Sequence, residues 1–305
     1  MNSTVVQIES TSRTAGWPTR FADYVELAKP RILAMVLVAV SLSGIIASWG
    51  QPDVMRLLHG LVGTILVAAS ASIFNQWLER HLDARMRRTV NRPLPAGRLG
   101  ERETLILGSA LVLIGLAYVL NLCGRPATFF AAMTWLLYVG VYTPLKTRTW
   151  LNTLVGAVPG AMPILLGWSA VGARLDIRAW SLFLLVFLWQ FPHFMAIAWL
   201  YRHQYAAAGM RMLTVIDPTG RRAGVQSVVA AVSVLIVSLI PAALTVGWSP
   251  WYIAGSFLLG VLQLICAIQF FRHREDVSAR RLLRASLIYL PMQLVLVTLL
   301  NVAWI

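Results

Sequence analysis

The chain has 305 residues, of which 58% are hydrophobic and 12% are charged, and its formal net charge is +14. Soluble proteins carry about 25% charged residues, and the mean hydropathy here is +0.70, so a bilayer is the predicted solvent for most of the chain. The composition excludes a soluble globule, a disordered chain and, with only two cysteines, a secreted disulfide scaffold.

Nine stretches are long and apolar enough to cross a bilayer, which takes ~20 residues. In chain order they cover residues 32–50, 57–74, 104–122, 127–143, 151–172, 179–200, 224–246, 251–271 and 285–305. The charge-free run from Ala223 to Phe271 is long enough for two spans, and Gly247-Trp248-Ser249-Pro250 is expected to turn the chain between them. We therefore predict an all-α polytopic membrane protein whose nine transmembrane helices surround a central pocket that opens to the cytoplasm.

Lys and Arg residues are distributed unevenly between the two sides of these spans. Of the 26, 22 lie in the N-terminal segment and in the loops after the even-numbered spans. The positive-inside rule therefore predicts a cytoplasmic N-terminus and an outer C-terminus in a cell (inner) membrane. We expect a polar cytoplasmic tail over 1–28 and one membrane domain over 29–305, capped by loops at about 76–103 and 201–222. Because the basic excess follows topology, it does not indicate nucleic-acid binding.

The richest group of polar side chains follows the second span. Asn75, Glu79 and Asp83 are spaced four residues apart, so they share one face if that span continues as a helix. Carboxylate and amide oxygens at the membrane surface suit a hard cation such as Mg²⁺. Arginines suited to phosphate oxygens follow at Arg85, Arg87, Arg88 and Arg92. The alternative interpretation is a set of ordinary solvated ion pairs at a helix end.

The sequence WLERH at 77–81 recurs as WLYRH at 199–203, an offset of 122 residues. Both copies end an even-numbered span, four spans apart, as a duplicated four-helix unit requires. In this register two tyrosines, Tyr201 and Tyr205, occupy the positions of the two acids in the first copy. The duplication is therefore predicted to keep its frame but not its acids.

The first motif, written in full, is Asn75-xxx-Glu79-xxx-Asp83-xx-Met86-x-Arg88-Thr89-xx-Arg92-Pro93-Leu94. It resembles the first acidic motif of the UbiA-type intramembrane prenyltransferases, most closely their haem O synthase (protohaem IX farnesyltransferase) branch. Further matching segments are 142–149 (YTPLKTRT), 152–161 (NTLVGAVPGA), 188–194 (LWQFPHF) and 205–213 (YAAAGMRML). They occur in the expected order, and the resemblance extends over roughly residues 25–220.

This resemblance implies transfer of a farnesyl group from farnesyl diphosphate to a vinyl group of haem B, giving haem O. Haem B and farnesyl diphosphate would be substrates, and Mg²⁺ would be the cofactor. The expected protein contacts are with factors of terminal oxidase assembly or haem A synthesis.

The resemblance also implies roles for individual residues. The metal ligands would be Asn75, Glu79, Asp83 and Gln204. Arg88 and Lys146 would complete the catalytic set by neutralising the diphosphate. The substrate-binding residues would be Arg85, Arg92, Tyr142, Arg148, His193, Arg202 and Tyr205.

Two positions depart from the family pattern. Glu79 stands where the family usually has Asp, which retains a carboxylate. Gln204 stands where the second acidic motif usually has Asp, so the charge is lost. A second Mg²⁺ would then be held more weakly, or His203 and Arg202 would bind the diphosphate directly.

Alternatives remain at this point for one residue and for the function. His193 is either a ligand or orienting contact for haem iron, or it hydrogen-bonds a neighbouring helix or a carbonyl freed by Pro192. The function alternatives are a UbiA-type prenyltransferase with an aromatic acid or quinone precursor as acceptor, a non-catalytic haem-handling protein, and a transporter. Transporter sites favour the membrane midplane, whereas the acids here lie at the cytoplasmic ends of spans.

Overall fold

The structure is a computed structural model that describes residues 17–244 and 249–302, and within these ranges it is helical with no strand. Nine helical segments of the described chain are long and apolar enough to cross a membrane, which confirms the predicted all-α architecture. They are α2 (Pro30–Ala47), α3 (Val54–Asp83), α4 (Glu101–Leu122), α5–α6 (Arg125–Leu145), α7 (Asn152–Ala170), α8 (Ile177–Leu200), α11–α12 (Arg221–Leu244), α13 (Pro250–His273) and α14 (Asp276–Val302).

The predicted polar tail contains a helix, α1 (Trp17–Leu27), that its composition did not reveal. This helix is held to the rest of the protein by ion pairs, since Arg20 lies 2.6 Å from Glu103 and Arg98 lies 2.6 Å from Glu26. Residues 1–16 lie outside the described residues. The division into a tail over 1–28 and one domain over 29–305 stays a prediction.

The first cap loop is shorter than predicted. Residues 76–83 belong to α3, so the loop that joins α3 to α4 runs only over 84–100. The reason is that the polar residues of this stretch keep the helical spacing, and nothing in it breaks the helix before Asp83. The second cap contains two short helices, α9 (Arg202–Ala207) and α10 (Leu213–Ile216).

The fourth span is irregular. It begins with the α-helical part α5 (Arg125–Trp135), continues as a π-helix over Leu136–Tyr142 and ends with the short turn α6 (Thr143–Leu145). Of the predicted turn at 247–250, Gly247 and Trp248 lie outside the described residues, while Ser249 directly precedes α13 and Pro250 is its first residue.

Small residues bring the second and third spans into close contact. A side chain at Gly63 of α3 would overlap Val119 of α4, and a Cβ at Gly115 would lie 2.9 Å from Val67. Such small-residue contacts let helix backbones approach inside a membrane, where no hydrophobic force drives them together. The orientation of α3, which carries the acidic motif, is therefore set by its contact with α4.

Candidate active site

The acidic motif forms one buried stripe on the last turns of α3. Asn75 is 1% exposed, Glu79 is 4% exposed and Asp83 is 1% exposed. A spacing of four residues advances about 40° per step along a helix, so the three side chains project from the same side. The stripe faces the interior of the protein and not solvent, so the interpretation as solvated ion pairs is wrong.

Each residue of the stripe is matched by one cationic side chain from a different part of the chain. Lys29 Nζ lies 2.6 Å from Asn75 Oδ1. Lys146 Nζ lies 2.6 Å from Glu79 Oε1, and Arg92 Nη1 lies 2.7 Å from Asp83 Oδ2. Two carboxylates and three basic side chains therefore meet at the end of α3 that is predicted to be cytoplasmic.

Lys29 belongs to the candidate site but to none of the predicted site residues, because the positive-inside rule alone explains a basic residue at this position. It lies between α1 and α2 with φ of 53° and ψ of 66°, a left-handed conformation that is uncommon outside glycine. Desolvation of its ammonium, followed by repulsion from Arg92 and Lys146, lowers the pKa of Lys29 to about 7. The one available signal was its place directly before the first span.

Lys146 directly follows α6, and this irregular end of the fourth span brings it to Glu79. Burial by itself would lower the pKa of Lys146, but the nearby Glu79 carboxylate and the Tyr142 and Tyr138 hydroxyls raise it above its ordinary value. The Lys146 ammonium lies 4.7 Å from the centroid of the Tyr142 ring, and that ring lies 5.4 Å from Tyr138. The residue is therefore a permanent cation between a carboxylate and an aromatic pair.

Thr143 joins this helix end to the stripe. Asn75 Nδ2 donates to Thr143 Oγ1 at 3.1 Å, and Thr143 Oγ1 donates to the backbone oxygen of Tyr138 at 2.8 Å. The amide of Asn75 is thus held at both ends, by Thr143 and by Lys29, which fixes the direction of its oxygen.

The two cap segments meet through Arg88. Its backbone N–H donates to Gln204 Oε1 at 3.3 Å, and its guanidinium donates to the Tyr205 hydroxyl at 3.3 Å. The guanidinium also lies 4.6 Å from the centroid of the Tyr201 ring. The structure therefore brings Arg88, Gln204 and Tyr205 together, with the Gln204 oxygen directed at the backbone of the first cap.

Other predicted site residues have different surroundings. Arg202 Nη1 lies 3.0 Å from Asp276 Oδ1 and donates to the backbone oxygen of Trp199 at 2.7 Å. Arg85 and Arg148 are exposed, and the backbone oxygen of Arg148 accepts from Arg211 at 3.3 Å.

His193 lies within α8 and is half-buried. Its ring stacks on Trp189, with the centroids 5.0 Å apart, and its Nδ1 lies 2.9 Å from Ser286 Oγ of α14. The hydrogen bond to a neighbouring helix that the sequence suggested is therefore present, and it leaves the second ring nitrogen for another role.

Comparison with known proteins decides the family. The profile of the UbiA prenyltransferase family matches residues 34–294. The chain belongs to the UbiA prenyltransferase family. The resemblance drawn from the acidic motif is thereby confirmed, and the protein is a multi-pass membrane prenyltransferase.

Two relatives that match nearly the whole chain carry the same name. A "Protoheme IX farnesyltransferase" of Solibacter usitatus is 40% identical over 282 residues, which cover 88% of this chain and 95% of the relative. A protein of the same name from Rhodopirellula baltica is 38% identical over 287 residues, covering 90% of this chain and 98% of the relative.

Solved structures share the fold at lower sequence identity. A structure reported for digeranylgeranylglyceryl phosphate synthase superposes on this chain with a TM-score of 0.79 at 16% identity, covering 93% of this chain and 99% of the other. A UbiA homologue from Archaeoglobus fulgidus bound to GPP and Mg²⁺ superposes with a TM-score of 0.64 at 14% identity, covering 90% and 99%. These likenesses confirm the fold.

Proposed function

We propose that this protein is a Mg²⁺-dependent farnesyltransferase that joins the farnesyl group of farnesyl diphosphate to a vinyl group of haem B. The observation that carries the proposal is the buried stripe of Asn75, Glu79 and Asp83 with the three basic side chains that face it. The acceptor comes from the relatives named protoheme IX farnesyltransferase, of whose length this chain covers 95% and 98%.

The residues of the stripe fit a hard divalent cation. Asp83 Oδ1 is buried and has no hydrogen-bond partner among the described residues, because Arg92 contacts only Oδ2. A buried oxygen without a partner raises the free energy of the folded protein, and a cation relieves this penalty. No three His, Cys, Asp or Glu side chains of the described chain converge on one point. The ligands would therefore be two carboxylates and the Asn75 amide.

Bound there, Mg²⁺ would neutralise the charge that grows on the departing diphosphate. The chain's own cations have the same task. Lys146 and Arg92 lie 2.6 and 2.7 Å from the carboxylates, so each can exchange a carboxylate oxygen for a diphosphate oxygen with a small movement. Arg88, held against Tyr201 and Tyr205, extends this positive surface to the second cap.

The proposed reaction breaks the bond between farnesyl C1 and the diphosphate oxygen, and the electron pair leaves with the diphosphate. The π electrons of the haem vinyl group form the new carbon–carbon bond to C1. Water adds to the cation that is left on the haem side chain and releases a proton, which gives the hydroxyethylfarnesyl group of haem O. The apolar spans around the site exclude bulk water from the first cation.

The proposal includes the setting of the enzyme. The protein lies in the cell (inner) membrane, with the N-terminus and both caps on the cytoplasmic side and the C-terminus outside, as the distribution of Lys and Arg indicates. His193 contacts the haem, and the product passes to proteins of haem A synthesis or terminal oxidase assembly. Reporter fusions at residues 90 and 210 test this orientation, and activity of an outside reporter at either residue contradicts it.

The function is tested with purified protein in lipid nanodiscs supplied with haem B and farnesyl diphosphate. We expect mass spectrometry of the extracted haem to show haem O with Mg²⁺ present and haem B alone after chelation. Parallel reactions with an aromatic acid and with a quinone precursor test the alternative acceptors. Haem binding without any product would instead indicate a haem-handling protein.

A further inference from the structure

Ser286 of α14 contacts two side chains of α8 at once. Trp189 Nε1 donates to the backbone oxygen of Ser286 at 2.8 Å, and His193 Nδ1 lies 2.9 Å from Ser286 Oγ. The Trp189 and His193 rings, one helical turn apart, stack with an interplanar angle of 24°. Ser286 is 0% exposed. One buried residue therefore fixes both the position and the plane of the histidine ring.

The single proton of the Ser286 hydroxyl decides which nitrogen of His193 carries hydrogen. Ser286 Oγ also lies 2.8 Å from the backbone oxygen of Leu283, which can only accept. If the hydroxyl donates to Leu283, Oγ accepts from Nδ1–H and two hydrogen bonds form. If the hydroxyl donates to Nδ1 instead, only one forms. Because each hydrogen bond contributes about 1 kcal/mol, the first arrangement is favoured, with hydrogen on Nδ1 and none on Nε2.

The unprotonated Nε2 makes no hydrogen bond with any residue in the described ranges, and the half-buried ring is not fully enclosed. Trp189 and Phe194, whose rings lie 5.0 and 5.5 Å from His193, give this part of α8 flat apolar neighbours. Such surroundings suit a porphyrin and not a phosphate. Histidines that bind a metal through one nitrogen usually donate the other N–H to a fixed acceptor, as His193 does to Ser286.

We propose that Ser286 is a positioning residue that presents Nε2 of His193 to the iron of the haem substrate. The inference rests on the proposed function and gives a specific contact for its acceptor. It assigns to Ser286, which lies outside every matched motif of the sequence, a role in orienting the porphyrin relative to the acidic stripe.

The test measures haem binding without turnover. Protein in nanodiscs is titrated with protohaem, and the iron–imidazole stretching band of the ferrous complex is recorded by resonance Raman spectroscopy. We expect His193→Ala to lose this band. We expect Ser286→Ala to shift the band to lower frequency and to weaken protohaem binding by about tenfold or more, because Nδ1–H loses its acceptor. Ser286→Thr, which keeps the hydroxyl, should resemble the wild type.

The matched control is Ser227→Ala. Ser227 is also 0% exposed, and its hydroxyl donates to its own helix, at the backbone oxygen of Ala223. This variant should leave the band and the binding unchanged. If Ser286→Ala does not accumulate in membranes, Ser286→Cys, which has a similar size and a weaker acceptor, should give a smaller shift in the same downward direction.

The inference is overturned if the band survives in His193→Ala or if Ser286→Ala and Ser286→Cys match the wild type. Haem O formation, measured on the same preparations, separates this outcome from failure of the proposed function. Haem O without the band means that the iron contact is wrong and the farnesyltransferase function stands. The band without haem O means that the function is wrong and the role of Ser286 in haem binding stands.

Discussion

The two related segments 77–81 and 199–203 attach their helix ends in the same way but differ in chemistry. Arg80 donates to the backbone oxygen of Trp77 at 2.8 Å, stacks over the Trp77 ring and pairs at 2.8 Å with Glu101, the first residue of α4. Arg202 of the second segment repeats each contact. It donates to the backbone oxygen of Trp199 at 2.7 Å, stacks over the Trp199 ring and pairs at 3.0 Å with Asp276, the first residue of α14.

The copies diverge immediately after these anchors. In the first copy, α3 continues to Asp83 and buries Glu79 and Asp83. In the second copy, α8 ends at Leu200, and Tyr201 has φ of −107° and ψ of 13° before the short helix α9 begins. The duplicated unit therefore preserves the attachment of its helix ends, while the acids and the helical extension that presents them occur in one copy only.

Removing the acids of the first copy should have the largest effect. We expect Glu79→Ala and Asp83→Ala each to lower kcat by about 10²-fold to 10³-fold or more, because the proposed Mg²⁺ that would stabilise the departing diphosphate loses a ligand. Tyr201→Phe and Tyr205→Phe, at the equivalent positions of the second copy, should change kcat far less. Steady-state kinetics of haem O formation measure both pairs.

The control for these variants is Asp53→Asn. Asp53 caps the other end of α3 by accepting from the Arg56 backbone N–H at 3.0 Å, and the amide keeps that acceptor. Size-exclusion chromatography of the detergent extract confirms insertion and folding. Normal turnover in Asp83→Ala would remove the stripe from the chemistry.

Lys29 has no basic counterpart in the second copy of the duplicated unit. The offset of 122 residues places the apolar residue Leu151 at the position that corresponds to Lys29. We expect Lys29→Gln to raise KM for farnesyl diphosphate about tenfold, since Lys29 holds the Asn75 oxygen of the candidate site in place and a hydrogen bond from a charged donor contributes ~1.5 kcal/mol or more. Lys29→Arg should recover part of the affinity. Arg31→Gln, which removes an exposed charge two residues later, should have no such effect; an equal effect would reduce Lys29 to a general surface charge.

Gln204 tests whether the second copy can regain an acid. We expect Gln204→Asp to lower the Mg²⁺ concentration for half-maximal rate by up to about tenfold, or 1.4 kcal/mol, because a carboxylate attracts the cation. Mg²⁺ titrations at saturating farnesyl diphosphate measure this. Weaker binding of farnesyl diphosphate with no change in the Mg²⁺ response would show that the new carboxylate repels the substrate and faces no metal.

The smallest expected effect is on stability, and it comes from Arg80 and Arg202, which attach the two helix ends. We expect Arg80→Gln and Arg202→Gln to lower the unfolding free energy by similar amounts, about 1 kcal/mol or less, because both ion pairs are partly exposed. Thermal unfolding measures this similarity. Only Arg80→Gln should also lower kcat, since its neighbour Glu79 belongs to the stripe. A loss of farnesyl diphosphate affinity in Arg202→Gln would show that the two arginines differ in function and would support the predicted diphosphate contact of Arg202.

The sequence predicted the spans and the stripe because both depend on regular spacing along one segment. Apolar run length identifies a spanning helix, and a spacing of four residues places Asn75, Glu79 and Asp83 on one face wherever the helix lies. The extent of α3 was less certain, since a polar helix end looks like a loop by composition. The predicted loop at 76–103 was therefore too long by eight residues at its start.

The contacts of individual cations could not be predicted in the same way. Lys29, Arg92 and Lys146 reach the stripe from three separate segments, and only the packing of those segments brings them together. The pairing of Arg202 with Asp276 depends on where α14 begins, 74 residues later. Ser286 has no motif around it, so its contact with His193 is visible only in the structure.

The glycine contact between α3 and α4 makes the site sensitive to remote changes. Gly63 lies 20 residues before Asp83, about 30 Å along the axis at 1.5 Å per residue. A tilt of roughly 3° about that contact therefore displaces the carboxylates by about 1.5 Å, more than the ~1 Å misplacement that can cost a hundredfold in rate. A larger side chain at Gly63 would push α3 away from α4 and tilt it. A substitution far from the carboxylates along α3 would therefore lower the reaction rate.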